Sequence, residues 1–408
     1  MEIPDVPKPL LEALRQAAEG RRCALVGGVV RDWLLHRHHE DPWRGLPDLD
    51  LVVEGRAADF VARLADALAT LFAVPVPLRA QEHGSFGTLE LELDLPKEQG
   101  GTWLLDIASA RHERYPQPAE NPVVSLGALD DDLARRDFTV NAMALTLDGA
   151  QLIDPHGGQR DLRARQLRFL HPHSVSDDPT RLLRAARYAA RLGFDLAPDA
   201  QVQTDATLSA WPWQWRPGDD PGQAPPALGT RLRMELELLL SREPWRQALA
   251  ALQRWGALVL LDPQLQADRQ WRRRLHWAQR LQVPLLPALL AGARDPLALA
   301  ERLQLPHRQH KLLAQMLELE HRLQSQSAEQ PPSAWCQFLE APGLSPEAVV
   351  LLVARGTTDG KPLLRWWLRW RHVRSPLTAA ELMREEGLRP GPGLGERLRQ
   401  LRFTALDR

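Results

Sequence analysis

Two aspartates one residue apart, Asp48-Leu49-Asp50, lead an apolar run, Leu51-Val52-Val53, that reads as a β-strand. Side chains alternate along a strand, so both carboxylates leave the same face. Two like charges held together are costly unless a cation lies between them, and hard oxygen donors of this kind suit Mg2+. The alternative is that Asp48 belongs to a turn, Leu46-Pro47-Asp48, and Asp50 is merely solvated. Upstream, Ala24-Leu25-Val26 runs into Gly27-Gly28, and the residues from Val29 to Leu35 follow at helical apolar spacing. Glycines let a backbone approach closely, and amides at a helix start can hold an anion such as a triphosphate. A tight turn between two packed elements uses the same residues. Taken together, the glycines, the helix and the acidic strand supply what phosphoryl transfer requires: anion-cradling amides and metal-bridged oxygens.

The elements that must position these groups follow from hydrophobic pattern. Short β-rich runs predict strands at 23–26, 49–53, 87–93 and 103–108, interleaved with helical stretches, which makes a helix-packed sheet. Beyond about residue 149 the β signal vanishes and helix-length blocks of Leu, Ala, Arg, Gln and Trp take over, separated by Pro and Gly. Segments 211–229 and 324–333 read as insertions or joints. Asp106 is a single acid in an apolar strand, where burial needs a partner, and is the candidate third metal-facing carboxylate. Glu90 and Glu92 alternate with leucines and fit a solvent-facing side.

The string Leu25-Val26-Gly27-Gly28-Val29-Val30-Arg31-Asp32 with Asp48-Leu49-Asp50 resembles the first signature of class II tRNA nucleotidyltransferases and bacterial poly(A) polymerases, within the DNA polymerase β-like superfamily. Three later segments continue the resemblance in order. Arg135-Arg136-Asp137-Phe138-Thr139-Val140-Asn141 is similar to the second signature, which implies that Arg136, Asp137 and Asn141 surround the ribose, with Gly27, Gly28 and Arg31 completing the nucleotide site. An Asp can accept from a 2′-hydroxyl while an Arg donates to phosphate or ribose oxygens. Asp154-Pro155-His156-Gly157-Gly158 resembles the third signature, a turn that could serve as a hinge.

Ser176-Asp177-Asp178-Pro179-Thr180-Arg181 resembles the fourth signature, which implies that Asp178 and Arg181 read the Watson–Crick edge of the incoming base in place of a template. Pro179 suits the first helical position and makes Asp178 the N-cap. A carboxylate and a guanidinium on one helical face suit C and A and reject U and G. One departure is visible: the family's usual Glu-Asp start is Asp177-Asp178 here.

Residues 111–118 correspond to the family's flexible loop, which helps switch from C to A addition; its length argues against a member that adds only C. Arg184, Arg187 and Arg191 recur at helical spacing with Arg181, a basic stripe that reads either as an RNA phosphate contact or as a solvated face. The Trp- and Arg-rich stretches at 271–274 and 365–372 read as core with snorkelling cations, and His36, His38 and His39 as surface residues. The segment 375–395 resembles the family's tail, which touches the tRNA elbow.

Composition sets the outer bounds. A chain of 408 residues exceeds one ordinary core. Net charge is −1, so any nucleic-acid surface must come from local clustering. Two cysteines without metal-spaced companions exclude a disulfide framework or a zinc site, and no apolar stretch is long enough to anchor in a membrane, so a cytoplasmic protein is expected. The reading is therefore an α+β chain: a polymerase β-like catalytic head at 1–148 with a mixed sheet, then all-α neck (149–245), body (246–332) and tail (333–408). Its implied partners are tRNA, ATP and CTP. A poly(A) polymerase of the same fold and a noncatalytic RNA-binding protein on that scaffold are the alternatives.

Overall fold

The computed structural model describes residues 3–18, 20–46, 48–72, 76–83, 87–96, 100–148, 151–327, 329–356 and 360–408. They gather into two compact units. The first comprises 1–214 with 225–227 and 243–257; the second holds 215–224, 228–242 and 258–408. The four-part division expected from sequence is finer than this.

The first unit is built on a seven-stranded sheet in the order β3-β4-β5-β2-β1-β8-β9. These strands are β1 (Cys23–Val26), β2 (Leu49–Val53), β3 (Leu78–His83), β4 (Thr88–Asp94), β5 (Thr102–Ser109), β8 (Ala144–Thr146) and β9 (Leu152–Ile153). All neighbours pair antiparallel except the central pair, β2 with β5. β1 is buried throughout, as its unbroken apolar run requires. In β4, Leu89, Leu91 and Leu93 point into the core while Glu90 stays exposed.

Helix α1 (Lys8–Ala18) packs against α3 (Ala57–Phe72) through faces that bury Leu10, Leu14, Phe60, Leu64 and Leu68. Each such side chain is worth roughly 1.5 to 3 kcal/mol when fully removed from water. Helix α2 (Gly28–His39) leaves the end of β1 across Gly27. Helix α4 (Leu129–Ala134) is fixed by Leu129 and Leu133, which join Ala24, Val26, Val52 and Ala144 in one apolar cluster.

A separate hairpin, β6 (Arg111–Arg114) with β7 (Val123–Leu126), occupies the segment expected to be a flexible loop. It is a paired ribbon because residues 111–114 and 123–126 find each other in register, a match that the charged first strand, Arg111-His112-Glu113-Arg114, hides. The expectation that strands end near residue 149 also needs correcting. β9 closes one sheet edge, and β10 (Gln166–Leu167) pairs parallel with β11 (Asp195–Leu196). Two-residue strands carry too little pattern to be read. Helices α5 (Gly158–Ala164), α6 (Ser174–Asp177), α7 (Thr180–Leu192), α8 (Pro198–Ala210) and α10 (Trp245–Arg254) complete this unit, α10 lying along α7.

Among the described residues the second unit is helical, from α9 (Thr230–Arg242) through α11 (Pro263–Ala267) and α12 (Trp271–Arg280) to α20 (Pro392–Leu406). Its Trp- and Arg-rich stretches form core with snorkelling cations, as expected: Trp271, Trp335 and Trp366 are buried, and the Arg371 guanidinium stacks 3.4 Å from the Trp367 ring centre. Buried Arg274 donates to the Ala288 carbonyl at 2.6 Å and pairs with Asp268. Cys23 and Cys336 are buried free thiols. No described helix is long and apolar enough to cross a membrane.

Candidate active site

The acidic strand and its neighbours set the centre of the site. Asp50 on β2 pairs in register with Asp106 on β5, and Asp106 pairs in turn with Glu90 on β4. Asp48 stands just before β2, two residues from Asp50 and therefore on its face. Asp106, chosen for its solitary place in an apolar strand, thus belongs beside the pair, and Glu90 joins the same row from farther out. The turn proposed to include Pro47 lies outside the described residues.

Asp48 and Asp50 are short of counter-charge. Burial, with repulsion from Asp48 and Asp106, lifts the Asp50 carboxyl to about 6, although Arg136 and Arg31 pull the other way. Burial and then Glu90 raise Asp48 as well. Among the described residues no three His, Cys, Asp or Glu side chains already enclose a point for an ion. The donors therefore fit a hard divalent cation that keeps water and takes further oxygens from a bound phosphate, which is how Mg2+ is ordinarily held.

Gly27 closes the site on one side. Its backbone, at φ 67° and ψ −127°, suits glycine alone, and a Cβ there would stand 3.1 Å from Arg136 Nη1 and 3.2 Å from Asp50 Oδ2. The chain, the acid and the guanidinium converge on that point. The amides opening α2 follow directly, a natural cradle for phosphate oxygens.

Arg136 reaches this point because fully buried Asp132 grips it at 2.9 Å while also holding Arg135. Burial works against the Asp132 charge, but Arg136 and Arg135 outweigh it and hold the carboxyl below its ordinary range. Arg135 passes the grip to the hairpin through Glu113 at 2.9 Å. Asp132 was not anticipated, since one acid among Asp130, Asp131 and Asp132 looks like an ordinary charged first turn.

Two residues expected to meet the nucleotide, Asp137 and Arg31, hold partners within the protein. Asp137 is buried, and its Oδ1 accepts from Phe138 N and Asn141 Nδ2 while Oδ2 accepts twice from Arg184. These four donors fix the Asp137 carboxylate, which in turn orients Asn141. Arg31 is equally committed: it forks onto Asp32, donates to Asn141 Oδ1 at 2.8 Å and lies over the Tyr188 ring. The arginine stripe on α7 is likewise paired within the protein. Arg184 is bound to Asp137, and Arg187 and Arg191 converge on the buried carboxylate of Glu243.

The fourth signature has the expected local form. Asp178 is extended, Pro179 already has helical angles, and Asp178 Oδ1 caps Thr180 N at 3.1 Å and its hydroxyl at 2.6 Å. Arg181 is buried and reaches back to the Arg135 carbonyl at 3.1 Å, so Arg135 and Arg136 span the distance between the turn at 177–181 and the acidic row.

Segment 211–229, opaque in sequence, now has a part to play. Trp213 packs edge-on to Trp211 and donates to the Ser176 carbonyl at 2.9 Å, and Ala119 N donates to the Asp177 carbonyl at 3.0 Å while its own carbonyl receives Ala227 N. The third signature is a weld more than a hinge: Asp154 caps Gly158 N, Thr139 donates to Asp161, and a Cβ on Gly158 would lie 2.4 Å from the Thr139 carbonyl oxygen.

Residues 23–168 match the poly A polymerase head domain. Over 313 residues the chain is 40% identical to the CC-adding tRNA nucleotidyltransferase of Deinococcus radiodurans, covering 74% of this chain and 72% of that protein. Over 179 residues it is 43% identical to the A-adding tRNA nucleotidyltransferase of Aquifex aeolicus, which is 43% of this chain and 19% of that longer protein. The fold matches an apo form of a CCA-adding enzyme with a TM-score of 0.70 at 25% identity, covering 99% of this chain and 93% of that one. Enzymes of this kind generally use divalent metal ions. With two aspartates, Asp48 and Asp50, crowded beside a glycine-lined helix start, and with likeness of this extent, the chain belongs to the tRNA nucleotidyltransferase family.

Proposed function

We propose that this protein adds nucleotides from CTP and ATP to the 3′ end of tRNA, building CCA or its terminal A, in the cytoplasm and without a nucleic-acid template. The observation that carries this reading is the register of Asp50 with Asp106 beside Asp48, directly against Gly27 and Arg136. Asp48, Asp50 and Asp106 are the residues to hold Mg2+, which when bound neutralises phosphate charge and favours the deprotonated 3′-hydroxyl. Gly27, Gly28 and the α2 amides hold the triphosphate. Arg136 and Asn141 face phosphate and ribose, with Asp137 and Arg31 fixing Asn141 from behind. Asp178 and Arg181 select the base by hydrogen bonds that C and A satisfy.

Identity to a CC-adding relative over most of the chain favours a second reading, in which only the two C residues are added. Against it stands a complete hairpin where the C-only pattern shortens the chain. A tRNA transcript lacking CCA, incubated with CTP, ATP or both, separates the cases. Two C followed by one A is the expected product. Two C alone selects the second reading, a long A tract selects a poly(A) polymerase, and no incorporation with Mg2+ overturns the catalytic reading.

A further inference from the structure

The arginines around the site are answered by carboxylates almost one for one: Arg31 by Asp32, Arg136 by Asp132, Arg184 by Asp137, Arg187 and Arg191 by Glu243. Arg181 lies within electrostatic reach of Asp137 and Asp177 but hydrogen-bonds to neither. It is only 4% exposed, and among the described residues its hydrogen bonds run to two neutral acceptors. One is the Arg135 carbonyl, and the other is His171 Nε2, 3.3 Å from Arg181 Nη1. A ring nitrogen that accepts from a guanidinium must present a lone pair, which puts the His171 proton on Nδ1. Burial first, then the charges of Arg181 and His173, push the ring down to about 4, so it stays neutral at working pH. Its backbone is pinned independently: His171 N donates to Ser174 Oγ, and the His171 carbonyl accepts from Ser174 N and Gln203 Nε2.

We propose that His171 is a positioning residue for base selection, a neutral acceptor that fixes the plane of the Arg181 guanidinium while leaving its charge and remaining N–H groups to the incoming base. The proposal rests on the functional reading above, in which Arg181 reads the base. A carboxylate at this position would neutralise Arg181 and compete with the base for its protons. An apolar side chain would let the guanidinium turn.

The test is single-nucleotide incorporation by the full chain into a tRNA transcript lacking CCA, with kcat and KM for CTP, ATP, UTP and GTP, alongside thermal unfolding. His171→Ala is expected to raise the KM for its correct nucleotide about tenfold, the worth of one hydrogen bond to a charged group. It should lower the preference over UTP and GTP by a similar factor and leave the KM for tRNA unchanged. His171→Gln, whose amide oxygen reaches the Nε2 position, should restore most of both. His171→Met fills the same space without a strong acceptor, so if the alanine variant fails to fold, the Gln and Met variants carry the comparison. Unchanged discrimination in the Ala and Met variants, or failure of Gln to restore it, overturns the positioning role while the wild type still incorporates. A wild-type chain that incorporates nothing overturns the functional reading and this proposal together.

Discussion

The acidic row on β2 and β5 and the arginine face of α7 are both dense in charge, yet the fold handles them oppositely. Asp48 and Asp50 stand together beside Asp106, and burial with their like charge lifts Asp50 to about 6. Arg184, Arg187 and Arg191 each meet a buried carboxylate inside the same unit. Charge left unanswered marks the place where something from outside must come, whereas charge answered from within is architecture.

Substitutions can break or sharpen that contrast. Asp50→Asn should abolish nucleotide incorporation; because it also removes an ionisation that burial disfavours, it should raise the melting temperature of the metal-free protein. An active variant, or one less stable in chelator, would refute the idea that Asp50 is under-compensated. Glu243→Gln should do the reverse, costing roughly 3 to 5 kcal/mol in denaturant unfolding because two cations lose their buried partner. Arg187→Ala and Arg191→Ala should leave the salt dependence of tRNA binding unaltered; a shallower slope would return these side chains to the phosphate-contact reading.

Gly27→Ala should lower kcat about tenfold or more, since a methyl group intrudes between Arg136 and Asp50 on a backbone that also resists it, at about 1 to 2 kcal/mol. The pH dependence tests the same acid. Asp50 releases its proton near 6 in the fold but at the ordinary 3.8 when unfolded, so the folded state holds the extra proton between those values. Stability without metal should therefore fall as pH rises from about 4 to about 6. Mg2+ affinity, measured by titration calorimetry, should weaken about tenfold per unit as pH drops below about 6. The smallest effect expected is for Trp213→Phe, which loses the bond to Ser176 and should cost about 1 kcal/mol.

Much of the catalytic strand was legible because its chemistry is local. β1 and β2 begin and end where their apolar runs do, and alternation alone placed Asp48 and Asp50 on one face. Asp106 could be nominated from its apolar strand, but its register against Asp50 depends on a parallel pairing across more than fifty residues of chain. The partners of the arginine stripe were hidden for the same reason. Its periodicity is real, but the acids that absorb it come from Asp137 and Glu243, far along the sequence. Likewise His171 carries no local signature beyond lying ten residues before Arg181, and the hairpin at 111–126 is concealed by the charged residues of its first strand.

Ala119 holds a left-handed backbone at φ 66°, fully enclosed, with its amide committed to Asp177 and its carbonyl to Ala227. Anyone exchanging the 111–126 ribbon between relatives to alter which nucleotide is added would cut through this seam. Chimeras that carry residues 117–120 together with 225–227 from the same parent should keep the joint intact, and those that mix parents there would splice two halves that no longer fit.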